Sequence, residues 1–204
     1  VFRQVPVLPV VIPLAVVVFA ALVWLLSRRG RLSMPRVAVA LAVCVYVGGV
    51  VANTVFPIFL DKPRSDAAWN AHLHLVPLTH YELADAVSNI VVFLPVGILL
   101  PLLVARTSWR SVVAGAALFS LAIEVTQFVT AHLLDGGHIA DVNDLLSNVV
   151  GGAVGAALFA VVARVPYGSR VIDRFRWPAD APDVAATPAA LDRPAATQVP
   201  ADHL

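Results

Sequence analysis

Five uninterrupted apolar runs, each about twenty residues long, dominate this chain: about 7–27, 37–57, 86–105, 111–131 and 145–165. A helix of that length covers the ~30 Å hydrocarbon core of a bilayer, where backbone polar groups must be satisfied without water. The expected fold class is therefore all-α, a polytopic membrane helical bundle of about five transmembrane helices. Composition agrees: 59% of residues are hydrophobic and 13% charged, whereas soluble domains carry roughly 25% charged residues. A net charge of +1 gives nucleic acid no general hold on the chain. The single cysteine, Cys44, lies in an apolar run and is read as a small core residue. The first run is too long and too weakly basic at its start for a secretory signal, and is read as a retained helix. Pro13 and Pro95 fall inside runs, which membrane helices tolerate when neighbours satisfy the freed carbonyls.

Arginine and lysine predict the orientation. Arg28, Arg29, Arg31 and Arg36 follow the first span, Arg106 and Arg110 follow the third, and Arg164, Arg170, Arg174 and Arg176 follow the fifth. Only Arg3, Lys62 and Arg64 lie on the opposite side, a bias of ten to three. The positive-inside rule then puts the N-terminus outside and the C-terminus in the cytoplasm. Three divisions follow. Residues 1–36 hold the first helix and a basic cytoplasmic loop, and residues 37–165 the main membrane domain. Residues 166–204, rich in Pro and Ala, are expected to form a disordered cytoplasmic tail. Loops 58–84 and 132–144 are expected on the outer face, carrying five of the six histidines. Trp24 and Trp109, near inner boundaries, read as interfacial anchors, and His72, His132 and Trp69 as loop residues at the interface.

The polar residues inside the spans gather at one level. Asn53 lies near the outer end of the second span, Asp85, Ser88 and Asn89 open the third, and Asp144 and Asn148 open the fifth. Glu124 lies about 20 Å along the fourth span, with Ser120 one turn before it and Gln127 one turn after. A carboxylate at such depth costs about 2.5–3.5 kcal/mol on insertion scales. It must be protonated, paired, hydrated or bound to a cation, which makes Glu124 a candidate proton carrier or general acid/base. No Lys or Arg lies at matching depth. The available partners are Gln127, Asn89, Asn148, the loop histidines and a bound cation. On a helix through 138–155, His138, Asp141, Asp144, Asn148, Gly151 and Gly155 share one stripe. Gly151 and Gly155 form a small-xxx-small pair, as do Gly48 and Ala52, and are read as packing residues.

Three segments carry a family resemblance: "NIVVFLPVG" (Asn89 to Gly97), "SLAIEVTQ" (Ser120 to Gln127) and "DVNDLLSNVVGG" (Asp141 to Gly152). In order and spacing they resemble the VanZ-like membrane proteins over about residues 50–160. The match carries Asn89, Phe93, Pro95 and Gly97, then Ser120, Glu124 and Gln127, then Asp141, Asp144, Asn148 and Gly151. Two positions depart: His138 stands where the family usually has Arg, and His74, in "HLHLVPL", where Asn is usual; Pro77 is kept. A titratable imidazole in place of a permanent guanidinium argues against phosphate clamping. The resemblance implies a place in the cell membrane, as a multi-pass protein, and a role like the teicoplanin resistance associated with the founding member.

Several functions fit these residues. The first is binding of membrane lipids or a lipid-linked or lipoglycopeptide-type envelope molecule in an outer-leaflet pocket. Its polar wall would be Asn89, Glu124, Gln127, Asp141, Asp144 and Asn148, with Phe93, Pro95, Gly97, Gly151 and Gly155 shaping it. The second is a metal-dependent enzyme acting on a lipid head group. Asp141, Asp144 and Asn148, with Glu124, offer oxygen ligands to a divalent cation, and His74, His80 or His138 would serve as base. Against it, the chain has no zinc-type His/Cys spacing, no EF-hand loop and no G-x-S-x-G nucleophile motif. The third is a proton-coupled lipid transporter using Glu124, disfavoured by the lack of an internal repeat. The fourth is a polar network that only sets helix register, the better reading for Asn53, Ser88 and Ser120. Oligomeric state is not legible.

Overall fold

The computed structural model describes residues 2–62, 68–79, 81–134 and 138–177. Five long helices fill it: α1 (Val7–Arg28), α2 (Met34–Val55), α3 (Leu83–Leu103), α4 (Trp109–Leu134) and α5 (Val142–Arg164). All five are long and apolar enough to cross a membrane, and the architecture is an all-α polytopic bundle. Local chemistry punctuates the runs. After α1, Gly30 takes φ +62°, and its N–H and that of Arg31 bond back to Ser27 and Leu26. This is the Schellman closure, for which glycine's freedom at positive φ is needed. Pro35 starts α2 within its first turn, where a missing N–H costs nothing.

The bundle is apolar outside and small inside. Val16, Val17, Leu118 and Val161 are exposed, as expected where lipid rather than water surrounds the helices. At the centre α3 lies against α5 with almost no side-chain spacer. A Cβ on Gly155 would collide with the Leu94 carbonyl, one on Gly151 with that of Ile90, and one on Gly97 with that of Gly152. Only hydrogen at these positions lets the backbones approach so closely. Phe93, 1% exposed, fills the adjoining core with Val96 and Ala116, flanked by Tyr46, Phe119 and Ile123.

Two features depart from the sequence reading. Helix α6 (Pro166–Phe175) forms where a disordered tail was expected to begin. Its Gly168 and Ile172 are buried one turn apart, while Arg170, Asp173 and Arg174 face outward. Ile172 packs with Val39 and Leu102, flanked by Phe159, Phe175 and Trp177. The Trp177 N–H donates to the Leu102 carbonyl at 2.9 Å. Arg36 Nε donates to the Arg176 carbonyl at 2.8 Å, and Arg31 to the Trp177 carbonyl. The polar composition of this stretch concealed a one-sided apolar pattern. Residues 178–204 of the expected tail lie outside the described residues. The second departure is a two-residue parallel ladder, β1 (Leu73–His74) with β2 (Ala140–Asp141), pairing Leu73 with Ala140 and His74 with Asp141. Backbone groups in loops need partners, and this ladder supplies them while tying the 68–79 segment to the start of α5.

Candidate functional site

The site is built where β2 turns into α5. Asp141 is the N-cap: its Oδ1 accepts from the Asn143 N–H at 2.7 Å and from Asn143 Nδ2 at 2.9 Å. A helix start leaves backbone N–H donors without intrahelical partners and carries a partial positive charge. Glu124, on α4 and 7% exposed, uses both properties, because its Oε2 accepts from the Asp141 N–H at 2.9 Å. The hydrogen bond found for this deep acid thus comes from the backbone, rather than from any of the expected side chains.

The other Asp141 oxygen reaches β1. Its Oδ2 lies 3.0 Å from His74 Nδ1, and His74 Nε2 lies 2.9 Å from Thr79 Oγ1. Beside this chain, Asn89 Nδ2 donates to Asp144 Oδ1 at 2.5 Å and to the Tyr81 hydroxyl at 3.3 Å. Tyr81 in turn donates to Ser147 Oγ at 3.0 Å. Burial pushes the Tyr81 phenol up, with the Asp144 charge adding to the shift against the hydrogen bonds with Ser147 and Asn89, so it serves as a neutral donor. Asn143, 2% exposed, accepts from the Leu78 N–H at 2.7 Å and holds the loop down; Leu78 itself has φ +62°.

The six residues expected to form one polar wall are distributed over three cavities. A cleft of about 570 Å³ is lined by His74, Tyr81, Asp85, Asn89, Asp141 and Asp144, among others. A groove of about 350 Å³ presents an apolar surface from residues such as Leu75, Leu121, Val125, Phe128 and Leu145, with Glu124 and Asp141 also among its lining residues. Leu73 and Asp141 line both. The third cavity, on the α2 side, holds Gln127 and Asn148, with Asn89 on its wall as well as on that of the cleft. Asn148 Nδ2 donates to Ser120 Oγ at 3.0 Å.

His138 bonds through Nε2 to the Phe56 carbonyl at 2.8 Å, fastening the loop to the end of α2. His80 lies outside the described residues. Among the described residues no three His, Cys, Asp or Glu side chains are grouped to hold a metal ion. Of the oxygen donors suggested for a divalent cation, Asp141 is engaged by Asn143 and His74, and Asp144 by Asn89. Sequence reasoning passed over Asn143, Thr79, Tyr81 and Ser147. A turn of α5 places Ser147 beside Asp144 and Asn148, but Thr79 and Tyr81 had no signal beyond being polar loop residues.

No curated protein and no solved structure matches this chain. A family model, VanZ/LLP1, matches residues 39–163, which include α3 and α4 whole, α5 up to its last residue, and most of α2. With more than half its length matched and the cleft-forming helices inside the match, the chain belongs to the VanZ/LLP1 family.

Proposed function

We propose that the protein sits in the cell membrane and binds an amphipathic, lipid-linked envelope molecule where α5 begins. The head group would occupy the polar cleft and the hydrocarbon the adjoining apolar groove. The observation that carries this reading is the shared wall: Leu73 and Asp141 line both cavities, so one molecule meets hydrogen-bonding groups and hydrocarbon surface side by side. Among the described residues, the cleft is lined by three aspartates, Asp85, Asp141 and Asp144, and by no Lys or Arg. It therefore favours head groups that bring amines or hydroxyls over phosphate. A lipoglycopeptide of the teicoplanin type belongs to this class, in keeping with the resemblance. The reading also takes this end of the bundle as the outer one, with the N-terminus outside and the C-terminus cytoplasmic, on the bias of basic residues.

The test replaces Asp144 by Asn and Glu124 by Gln, separately, and compares membrane abundance with teicoplanin susceptibility of the host. Normal abundance with the phenotype lost supports binding at this site. An unchanged phenotype in both variants rejects it, and lost abundance assigns the residues to folding.

A second reading, chemistry on a lipid head group, is favoured by one observation. The Asp141 carboxylate 3.0 Å from His74 Nδ1 is the arrangement that orients an imidazole as general base. Incubating the purified protein with membrane lipids and following head groups by mass spectrometry tests it; a product made by wild type and not by His74→Asn supports catalysis, and no product rejects it.

A further inference from the structure

The cavity of about 530 Å³ between α2 and the other helices takes no part in the head-and-chain reading. Its polar lining includes Tyr46, Asn53, Gln127 and Asn148, and its apolar lining includes Val91, Phe93 and Ile123. Among the described residues, five buried side-chain polar atoms have no hydrogen-bond partner, and three of them belong to this lining: the Tyr46 hydroxyl, Gln127 Oε1 and Asn148 Oδ1. Buried polar atoms are nearly always paired, so three unpaired ones around one cavity point to a ligand's donors. Asn148 is 4% exposed, and its amide nitrogen is committed to Ser120 Oγ, which leaves Oδ1 as an acceptor only.

The chemistry of the occupant follows from this inventory. Gln127 Oε1 and Asn148 Oδ1 accept and cannot donate, while the Tyr46 hydroxyl does either. The occupant must therefore bring at least two donors. Among the described residues no Asp, Glu, Lys, Arg or His lines the cavity, so it provides no counter-charge for an ionic head group. Val45, Val91 and Val92 on its rim are exposed, which opens it sideways between α2 and α3, where spanning helices meet lipid. We propose that this cavity is a lateral binding site for a neutral lipid whose head carries hydroxyl groups, its hydroxyls donating to Gln127 and Asn148. The site shares Asn89 with the cleft, but the hydrogen bonds proposed for it do not use that residue.

The experiment uses the full chain in phosphatidylcholine nanodiscs with a diazirine-bearing monoacylglycerol as photoprobe. Two analogues with the same acyl chain serve as comparisons: its dimethyl ether, which has no donors, and lysophosphatidic acid, which is charged. The monoacylglycerol should label peptides of α2, α3 and α4 about fivefold or more above either analogue, the ratio expected from losing one or more neutral hydrogen bonds. Gln127→Met and Tyr46→Phe, which break no side-chain hydrogen bond among the described residues, should each reduce that labelling by about fivefold. His74→Asn, in the cleft, should leave it at the wild-type level, so that failure of the cleft reading and failure of this one are distinguishable. Equal labelling by the dimethyl ether, stronger labelling by lysophosphatidic acid, or indifference to both Gln127→Met and Tyr46→Phe would overturn the proposal.

Discussion

Glu124 illustrates how a costly residue is kept at depth. Its carboxyl group meets the Asp141 N–H at the start of α5, where the helix's partial positive charge and a donor without an intrahelical partner coincide. Glu124→Gln retains a carbonyl that can accept from Asp141 and should leave thermal stability in detergent nearly unchanged. Glu124→Leu strands a buried N–H and should cost about 1–3 kcal/mol, visible as a lower melting temperature and faster amide exchange at Asp141. Equal stability of the two variants would show that the bond contributes nothing. Asn143 acts similarly from the other side, its Oδ1 holding the N–H of Leu78, 65 positions away in sequence. A partner that remote, and on the backbone, leaves no mark in local sequence.

At the scale of elements, the contact between α3 and α5 organises the bundle. Glycine pairs suggest close packing in any apolar helix, but the degree of approach differs sharply among those in this chain. Gly155 has the Leu94 carbonyl where a side chain would start, whereas a methyl group on Gly49 would meet nothing within 4 Å. Gly155→Val should therefore destabilise the bundle by about 1–3 kcal/mol or more through overpacking, while Gly49→Ala should be neutral or slightly stabilising. Thermal unfolding of the two variants in the same detergent decides it, and tolerance of valine at 155 would contradict the crossing described above. The spans themselves were legible within a few residues, because a bilayer demands length and apolarity together. The β1–β2 ladder was not, since two residues per strand are too few to show alternation.

For the whole molecule, α6 closes the end of the bundle opposite the cleft. Arg31 and Arg36, which read at first only as topology signals, donate to the carbonyls of Trp177 and Arg176. They act as a cap for the C-terminal end of α6, which satisfies carbonyls the helix itself cannot. A chain cut after Trp177 should keep wild-type stability. One cut after Arg164 should lose it, and Ile172→Ala alone should cost about 2 kcal/mol or more by emptying the cluster with Val39 and Leu102. Limited proteolysis of the three proteins in detergent reads the difference; equal resistance of the two truncations would mean that α6 does not brace the bundle.

Besides the family pattern, what the sequence determined by itself was everything set by the solvent around each residue: five apolar helices long enough to span a membrane, and the all-α class. A bilayer imposes those on composition and periodicity alone. Only the tertiary structure decided which of the polar residues face which cavity. Rotation of each helix separates Gln127 and Asn148 from Asp141 and Asp144, and a backbone N–H, invisible to any side-chain pattern, answers Glu124. Partners of that kind are chosen by the packing of α3 on α5 and α4 on α5, and packing depends on contacts between segments that sequence spacing does not record.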